Sequence, residues 1–267
     1  MARRSFEVDG VLGVPDYQVL QLKRKIHSVA LVIPILNEKP RILEQLKKIQ
    51  VFAPEVDVIV VDGGSTDGIE KDLQSHDMNV SALLVKIGKG KLSAQLRVAF
   101  HFCLQNGYES VITMDGNGKD GVEGINTIKN ALGQNYDFVQ GSRFVRGGES
   151  DNTPISRYLA IRFLHAPITS IAARFWYTDT TNGFRGHSLK FFSSDKVDIF
   201  RDVFDSYELL AYLPMCANRL GYRVTEVPVR RSYPSNGEVP TKIHGIRGQL
   251  RVLKILIGTA CKKYNKI

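Results

Sequence analysis

Two stretches of the sequence decide the fold: Val29-Ala-Leu-Val-Ile-Pro-Ile-Leu-Asn-Glu38 and Asp57-Val-Ile-Val-Val-Asp-Gly-Gly-Ser-Thr-Asp-Gly68. Residues 29–33 and 57–61 are predicted to be buried strands, because residues 29–33 and 58–61 are continuous apolar runs of a typical length. Between them, Ile42, Leu46 and Ile49 recur at helical spacing. A strand, a helix and a strand in this order predict a right-handed parallel crossover unit.

The same rhythm continues downstream with strands at 81–87, 110–114 and 138–140 and helices at 93–105 and 122–132. We therefore predict an α/β domain with a mostly parallel central sheet and flanking helices. After residue 145 the pattern predicts helices within 155–176 and 205–220, a polar connector at 179–186, a strand at 222–230 and a terminal helix at 246–263. The predicted units are an N-terminal arm or short helix (1–27), one domain (28–245) with halves at 28–145 and 146–245, and a C-terminal helix (246–267).

The composition excludes several classes of protein. With 267 residues, 43% of them hydrophobic and 24% charged, the chain has enough apolar material for a substantial core. No apolar run approaches the roughly 20 residues that cross a bilayer, and the N-terminus does not resemble a secretory signal. The three cysteines are scattered without a CxxC spacing, which favours reduced thiols over disulfides or a zinc site. These features predict a cytoplasmic protein.

The positive charge is concentrated at the C-terminus. The net charge is +9, and residues 219–267 alone hold eleven Lys or Arg against two Asp or Glu. Such a segment favours phosphate groups on a ligand or a membrane surface, and no nucleic-acid-binding motif accompanies it. The terminal helix alternates Leu250, Leu253 and Ile257 with basic residues. It is therefore predicted either to lie on the inner face of an anionic membrane or to pack on its own domain.

Four polar loops follow predicted parallel strands. They begin at Pro34, Asp62, Gly88 and Asp115, and ligands of open parallel sheets bind at this edge. Asp, Asn and Gly are also ordinary turn and cap residues, but four such loops on one edge favour a binding site. Gly88-Lys-Gly-Lys91 does not match a P-loop, no GxGxxG follows the first strand, and no GxSxG is present.

The motifs resemble the inverting family 2 glycosyltransferases with the GT-A fold. The resemblance lies in Ala30-Leu-Val-Ile-Pro-Ile-Leu-Asn-Glu38, Val60-Val-Asp-Gly-Gly-Ser-Thr-Asp-Gly68 and Met114-Asp-Gly-Asn117. Gly141-Ser-Arg143, Asp179-Thr-Thr-Asn-Gly-Phe-Arg185 and Leu220-Gly-Tyr-Arg-Val-Thr-Glu-Val-Pro228 are similar to the dolichyl-phosphate mannose synthase branch, which includes bacterial polyprenyl-phosphate sugar synthases. The resemblance covers residues 28–245, with the second half forming the acceptor side.

The resemblance implies a site for a UDP- or GDP-linked sugar. The residues implied to bind it are Pro34, Asn37, Glu38, Asp62, Ser65, Asp67, Gly90, Lys91, Asp115, Gly116, Asn117 and Arg143. Asp115 and Asn117 are the implied ligands of Mg²⁺ or Mn²⁺, hard ions that prefer oxygen and neutralise a diphosphate leaving group. The family usually has a second Asp and then a Gln where this chain has Asn117 and Lys119. We therefore expect a weaker or less essential metal, with Lys119 as a fixed cation and Asp120 as a substitute ligand.

The acceptor side is implied by a second set of residues. Asp179 and Arg185 are expected near the sugar and acceptor, while Arg157 and Lys242 are expected to bind an acceptor phosphate; for the arginines, surface salt bridges are the alternative. Asp205 and Glu208 are candidate bases, although a phosphate acceptor needs little or no base. The helical spacing of Trp176, Phe163 and Phe175 predicts core positions.

The predicted function is sugar transfer from a nucleoside-diphosphate sugar to an acceptor, expected to be a polyprenyl phosphate, in cell-envelope glycan synthesis. A soluble or glycan acceptor is an alternative within the same class. A sugar-phosphate nucleotidyltransferase is an alternative of another class, but it would carry a Gly-rich, Arg-bearing loop after the first strand. A non-catalytic nucleotide-sugar-binding module is the third possibility, since Asn117 replaces a carboxylate.

Overall fold

The computed structural model describes residues 3–6, 13–75, 78–234 and 245–265. Its strands are β1 (Arg3–Phe6), β2 (Tyr17–Gln21), β3 (Val29–Ile35), β4 (Asp57–Asp62), β5 (Val80–Lys86), β6 (Ser110–Thr113), β7 (Phe138–Ser142), β8 (Glu149–Asp151), β9 (Arg185–Ser188), β10 (Val224–Pro228) and β11 (Arg230–Ser232). Its helices are α1 (Lys39–Phe52), α2 (Ile69–Ser75), α3 (Leu92–Gln105), α4 (Gly124–Gly133), α5 (Ile155–Ala160), α6 (Ala166–Ala173), α7 (Leu189–Phe192), α8 (Glu208–Arg219) and α9 (Gly245–Ala260). A π-helical turn, Ile161–His165, joins α5 to α6.

Nine strands form one sheet in the order β1-β2-β5-β4-β3-β6-β9-β7-β10. The central strands β5, β4, β3 and β6 are parallel, and β4 is buried along its whole length, which explains its uninterrupted apolar run. Antiparallel pairings join β2 to β5 and β9 to both β6 and β7. Strands β8 and β11 form a separate parallel pair. The sheet is therefore more mixed than the sequence predicts.

Helices cover both faces of the sheet, so the core has two apolar layers. One layer contains Ile42, Leu46 and Ile49 of α1 together with residues of α2 and α4. The other contains residues of α3, α7 and α8, including Phe100 and Leu213. Because both faces are buried, the strand ends and their loops are the part of the sheet open to a ligand.

Two predictions about local structure are wrong. In the described residues of the N-terminal segment the short-helix alternative is wrong, since β1 and β2 extend the central sheet. The polar connector predicted at 179–186 contains the start of β9, which lies between β6 and β7. Its sequence, Arg185-Gly-His-Ser188, has no apolar alternation that would reveal a buried strand. None of the helices in the described part of the chain combines the length and apolar character that a membrane crossing requires.

Candidate functional site

The loops after β3 and β4 are joined at the open edge of the sheet. The backbone N–H of Asn37 donates to Ser65 Oγ at 2.8 Å, and the N–H of Thr66 donates to Asn37 Oδ1 at 2.8 Å. The N–H of Lys39 donates to Asp67 Oδ2 at 2.9 Å. Asn37 has a φ of 52°, in the left-handed region that Asn tolerates better than most residues. The structure therefore brings together the residues that the sequence assigned to this part of the site.

Asp62 organises the loop that follows it. Its Oδ1 accepts hydrogen bonds from the backbone N–H groups of Gly64 and Ser65, at 3.1 and 2.9 Å, and from Ser65 Oγ at 2.6 Å. From α3, Gln95 Nε2 donates to the carbonyl oxygens of Ile35 and Val61 at 2.9 and 3.0 Å. These contacts fix the ends of β3 and β4, so the loop after β4 is ordered before a ligand binds.

The loop after β5 packs against the segment that precedes α8. The N–H of Lys91 donates to the carbonyl of Asp205 at 2.9 Å. At Gly90 the φ is 104°, and a Cβ there would lie 2.9 Å from Asp205 Oδ1, so a larger residue would be strained and crowded. Lys86 is buried beneath this loop and donates to the carbonyl of Gly88. Asp205 thus lies beside the loop implied to bind the nucleotide sugar.

The Asp115 loop is held from α1 and from the segment before β9. Gln45 Nε2 donates to the Asp115 carbonyl at 3.0 Å, and the N–H of Gly118 donates to Gln45 Oε1 at 3.2 Å. A Cβ at Gly183 would lie 2.9 Å from Asp115 Oδ1, so only glycine leaves room for this carboxylate. The Asp115 side chain is 28% exposed and is therefore accessible from the open edge.

Arg231 is the residue that sequence reasoning missed. Its Nη2 lies 2.8 Å from Asp115 Oδ2, and its Nη1 lies 2.5 Å from Asp120 Oδ1. Burial acts to raise the pKa of the Asp115 carboxyl, but Arg231 and Lys119 outweigh it, so this pKa lies below its usual range. The pair of adjacent arginines after Val-Pro228-Val was the available signal, although nothing in the sequence connects it to Asp115.

These residues do not fit a divalent ion. Asp115 Oδ2 already accepts from Arg231 and, at 3.3 Å, from Asn117 Nδ2. The Asp120 side chain is fully buried and paired with Arg231, so it does not reach the open edge as a substitute ligand. Among the described residues, no three His, Cys, Asp or Glu side chains converge to hold a metal. Mg²⁺ is usually held by one or two carboxylates together with substrate phosphates and waters, and here the accessible carboxylate of the loop is already paired with Arg231.

Arg143 and Asp179 form a buried ion pair. Arg143 Nε and Nη2 donate to the two Asp179 oxygens at 2.6 and 2.9 Å, and neither residue is more than 3% exposed. Glu226 on β10 accepts from the backbone N–H groups of Thr178 and Asp179, at 2.9 and 3.2 Å, and so fixes the segment that carries Asp179. Arg143, which the resemblance implies to bind the nucleotide sugar, is therefore held by Asp179 as part of the wall of the site.

Arg185 and Glu208 are also buried. Arg185 Nε, Nη2 and Nη1 donate to the carbonyls of Asn182, Thr180 and Leu210 at 3.0, 2.9 and 2.7 Å. These contacts differ from the predicted contact with sugar or acceptor, since they tie the 180–182 segment to α8. Glu208 accepts from the N–H of Ser206 at the start of α8. Lys242 lies outside the described residues.

A cluster of cations surrounds Tyr233. Arg157 Nη1 lies 3.2 Å and Arg143 Nη1 3.5 Å from the Tyr233 hydroxyl, and Lys119 Nζ lies 5.3 Å from the centre of its ring. Burial acts to raise the pKa of this hydroxyl, but Arg231, Arg157, Arg143 and Lys119 together lower it to about 8. Burial, followed by repulsion from Arg231, lowers the pKa of Lys119 to about 8 as well. The cluster provides a positive environment next to Asp115.

We expect one tyrosine of the native protein to ionise near pH 8, and Tyr233→Phe to remove that step. The folded-state pKa of about 8 lies below the ordinary value of 10.0, so ionisation of Tyr233 stabilises the fold increasingly as pH rises through this window. That contribution is lost as pH falls through about 8. Phenolate absorbance of the native protein during a pH titration measures the step. If both proteins begin to ionise only near pH 10, Tyr233 does not sense these cations.

The segment from α5 to α6 exposes large apolar side chains. Trp176 and Phe163 are each 74% exposed, so the prediction that they lie in the core is wrong; Phe175, by contrast, packs against the core. Ile155, Leu159 and Phe163 recur every four residues, and Ile171 is also exposed. We refer to Ile155, Leu159, Phe163, Ile171 and Trp176 as the apolar set. Helix α9 packs against α6 and α8, and its buried side chains are Ile255, Leu256 and Thr259. Its exposed side chains include Arg247, Leu250, Arg251, Lys254 and Ile257.

Comparison with known proteins gives relatives of one kind. The chain is 25% identical over 209 residues to a polyprenol monophosphomannose synthase of Mycolicibacterium smegmatis, covering 77% of this chain and 78% of the relative. It is 28% identical over 203 residues to an undecaprenyl-phosphate mannosyltransferase of Micrococcus luteus, covering 75% and 82%. Both relatives come from the branch that the motifs resemble.

Solved structures with the same fold include glucosyl-3-phosphoglycerate synthase of Mycobacterium tuberculosis. Its complex with Mn²⁺, UDP and phosphoglyceric acid superposes with a TM-score of 0.62 at 15% identity, covering 89% of this chain and 78% of that one. Another complex of that enzyme contains Mg²⁺ and UDP. At this identity the likeness concerns the fold alone.

The family follows from a match over most of the sheet and the site. The model of glycosyl transferase family 2 matches residues 30–198. This span is more than half of the chain and includes the loops after β3, β4, β5 and β6, together with the Arg143–Asp179 pair. The chain therefore belongs to glycosyl transferase family 2 and is a glycosyltransferase.

Proposed function

We propose that this enzyme transfers a sugar from a nucleoside-diphosphate sugar to a polyprenyl phosphate, with inversion at the anomeric carbon, in cell-envelope glycan synthesis. The observation that carries the proposal is the adjacency of two polar sites. Ordered strand-end loops and Asp115 lie on one side, and the cations around Tyr233 lie on the other. Lys119 and Arg231 link the two sites, because both act electrostatically on Asp115 and on Tyr233.

The donor is proposed to bind along the loops after β3, β4 and β6. The polar groups of exposed Asn37 and of half-buried Ser65 and Asp67 suit the base and ribose, which offer N–H and hydroxyl donors. Asp115 suits the reacting end of the donor because it is accessible at the edge of the sheet. The dissociation constants of UDP and GDP, measured by titration, distinguish between the two nucleotides.

A phosphate acceptor suits the cations around Tyr233. Arg157 is half-buried and donates to Tyr233, so its guanidinium is held in one orientation. Arginine forks bind phosphate oxygens in a bidentate manner. A lipid phosphate is already anionic near neutral pH and can attack the sugar without a general base, which agrees with the buried position of Glu208. Asp205 is the remaining candidate base for an acceptor that presents a hydroxyl.

A lipid acceptor requires the enzyme to meet a membrane, and the apolar set with α9 suits that contact. Large exposed apolar side chains beside basic residues are typical of interfacial segments. Arg174 is exposed between Ile171 and Trp176, and α9 next to α6 exposes Arg247, Arg251 and Lys254. Each basic residue near an anionic leaflet contributes on the order of 1 kcal/mol. We therefore propose peripheral attachment through the 155–176 segment and α9.

We expect Trp176 fluorescence to shift to the blue when the protein is mixed with anionic vesicles, and not with zwitterionic ones. Trp176 is the single tryptophan and is 74% exposed, so its emission reports directly on this surface. High salt should reduce the shift, because it screens charges beyond about 8 Å at physiological ionic strength.

Variants with matched exposure control this measurement. Phe163→Ser should weaken vesicle binding severalfold, whereas Val51→Ser on α1, equally 74% exposed, should not. Equal binding to both vesicle types, or equal losses in both variants, would contradict attachment through the apolar set.

Nucleoside diphosphate release tests the reaction class. With donor sugar and undecaprenyl phosphate we expect release of nucleoside diphosphate that depends on the acceptor. A nucleotidyltransferase would instead release pyrophosphate from a nucleoside triphosphate, and a binding module would release nothing. A soluble or glycan acceptor would support release in the absence of lipid.

A further inference from the structure

We propose that Arg231, with Lys119 beside it, supplies the positive charge that a divalent ion supplies in the related metal-containing structures, so that this enzyme binds its donor without metal. The inference rests on the proposed function, because it concerns the diphosphate of the proposed donor. The first observation is that Asp115, the accessible carboxylate at the position implied to bind the metal, is already paired with the guanidinium of Arg231.

The backbone fixes Arg231 against the Asp115 loop. The N–H of Ser232 donates to the carbonyl of Lys119 at 2.8 Å, and the N–H of Gly121 donates to the carbonyl of Arg230 at 3.0 Å. Asp120 and Arg231 form an antiparallel bridge between these two bonds. Arg231 therefore reaches the loop because β11 runs alongside it, not because a flexible side chain folds back on it.

The side chain of Arg231 is held at three points. Besides its bonds to Asp115 and Asp120, its Nη1 lies 3.2 Å from Asn182 Oδ1. Arg231 is 4% exposed, so its charge acts in a medium that water screens poorly. A cation that is already oriented needs no reorganisation when charge develops on the leaving diphosphate.

The charges of the loop balance without an ion. Asp115 and Asp120 are the carboxylates, and Arg231 and Lys119 are the cations. A divalent ion on Asp115 Oδ2 would have to displace Arg231 Nη2, which would leave the buried guanidinium with only Asp120 and Asn182 as partners. Asn117 adds no charge. Without Arg231 and Lys119 the loop would present two carboxylates to a substrate diphosphate, whereas with them both carboxylates are compensated and the net charge of the loop is zero.

The wild-type protein tests the proposal without any variant. We expect UDP or GDP to bind with a dissociation constant that changes by less than about twofold between excess EDTA and excess MnCl₂, in calorimetric titrations. We also expect the electron paramagnetic resonance signal of a solution of Mn²⁺ and nucleotide to stay the same when the protein is added. Nucleotide binding that needs Mn²⁺, with a further loss of that signal on addition of the protein, would overturn the inference and leave the proposed function standing. Absence of UDP, GDP, CDP and dTDP binding under both conditions would overturn both.

The variant Arg231→Met tests the residue itself. We expect it to weaken nucleotide binding in EDTA by about tenfold or more, since a charge-assisted contact of this kind is worth at least that factor. Mn²⁺ should restore part of the binding, because Asp115 is then available as a ligand. Arg230→Met is the matched control, since Arg230 precedes it on the same strand but is half exposed and pairs with Asp151 at the surface.

A second variant separates folding from function. Arg231→Met leaves Asp120 buried without its partner, so Arg231→Met/Asp120→Asn removes one charge of each sign and should keep the native circular dichroism and urea midpoint closer to wild type. We expect this double variant to show the same loss of metal-free nucleotide binding. Metal-free binding at wild-type strength in a folded double variant would overturn the assignment of Arg231.

Discussion

Replacing Asp115 by alanine is expected to lower transferase activity by about a hundredfold or more while the protein stays folded. Losing the alignment of one cation that stabilises developing negative charge typically costs a factor of this size. Asp115 is 28% exposed at the open edge, and its Oδ2 orients Arg231, so the variant loses both an accessible carboxylate and the alignment of the buried guanidinium. Acceptor-dependent release of nucleoside diphosphate measures the effect.

The control for the Asp115→Ala variant is the removal of a carboxylate from a different ion pair, that of Asp151 with Arg230. Asp151→Ala removes a side-chain partner of Arg230 and Ser232 on the small two-stranded sheet and keeps the backbone bond between Ser232 and Lys119. We expect near-normal activity from it. If Asp115→Ala keeps activity within about twofold of wild type and a normal urea midpoint, Asp115 has no part in the reaction.

Asp179→Ala is expected to destabilise the fold by about 3–5 kcal/mol, because it leaves the Arg143 guanidinium buried without its counter-charge. Both residues are at most 3% exposed, and the pair is bidentate at 2.6 and 2.9 Å. Urea denaturation followed by circular dichroism gives the free energy of unfolding.

An exposed ion pair provides the comparison. Glu44 and Lys48 on α1 lie 2.8 Å apart with most of both side chains in solvent, so Glu44→Ala should leave the urea midpoint nearly unchanged. A loss below about 1 kcal/mol for Asp179→Ala, similar to that of Glu44→Ala, would mean that water reaches Arg143 and that the pair does not form a rigid wall of the site.

The sequence predicted the parts of the site that depend on parallel strands. The carboxyl ends of β3, β4 and β6 meet at one edge, so polar residues after each strand had to lie near one another. The hydrogen bonds between Asn37 and the Ser65–Thr66 turn are the direct result. The length and apolar character of each strand can be read from its own residues, so the central strands could be predicted from the sequence.

The sequence did not reveal contacts that depend on antiparallel insertions and distant pairings. Strand β9 has a polar sequence and is buried only because β6 and β7 lie on either side of it. Arg231 reaches Asp115 through the bridge beside Lys119, more than a hundred residues earlier in the chain. Trp176 lies at a spacing that suits a core helix, yet it follows the left-handed Arg174 at the end of α6 and points to the surface.

The central claim is tested most directly by following a labelled sugar into lipid. The protein is incubated with vesicles that contain undecaprenyl phosphate and with UDP- or GDP-linked hexose labelled in the sugar. We predict label in the organic extract, in equal amount to the nucleoside diphosphate released, as a sugar phosphate whose anomeric configuration is opposite to that of the donor. Release of nucleoside diphosphate at the same rate without lipid, with no label in the extract, would contradict the account.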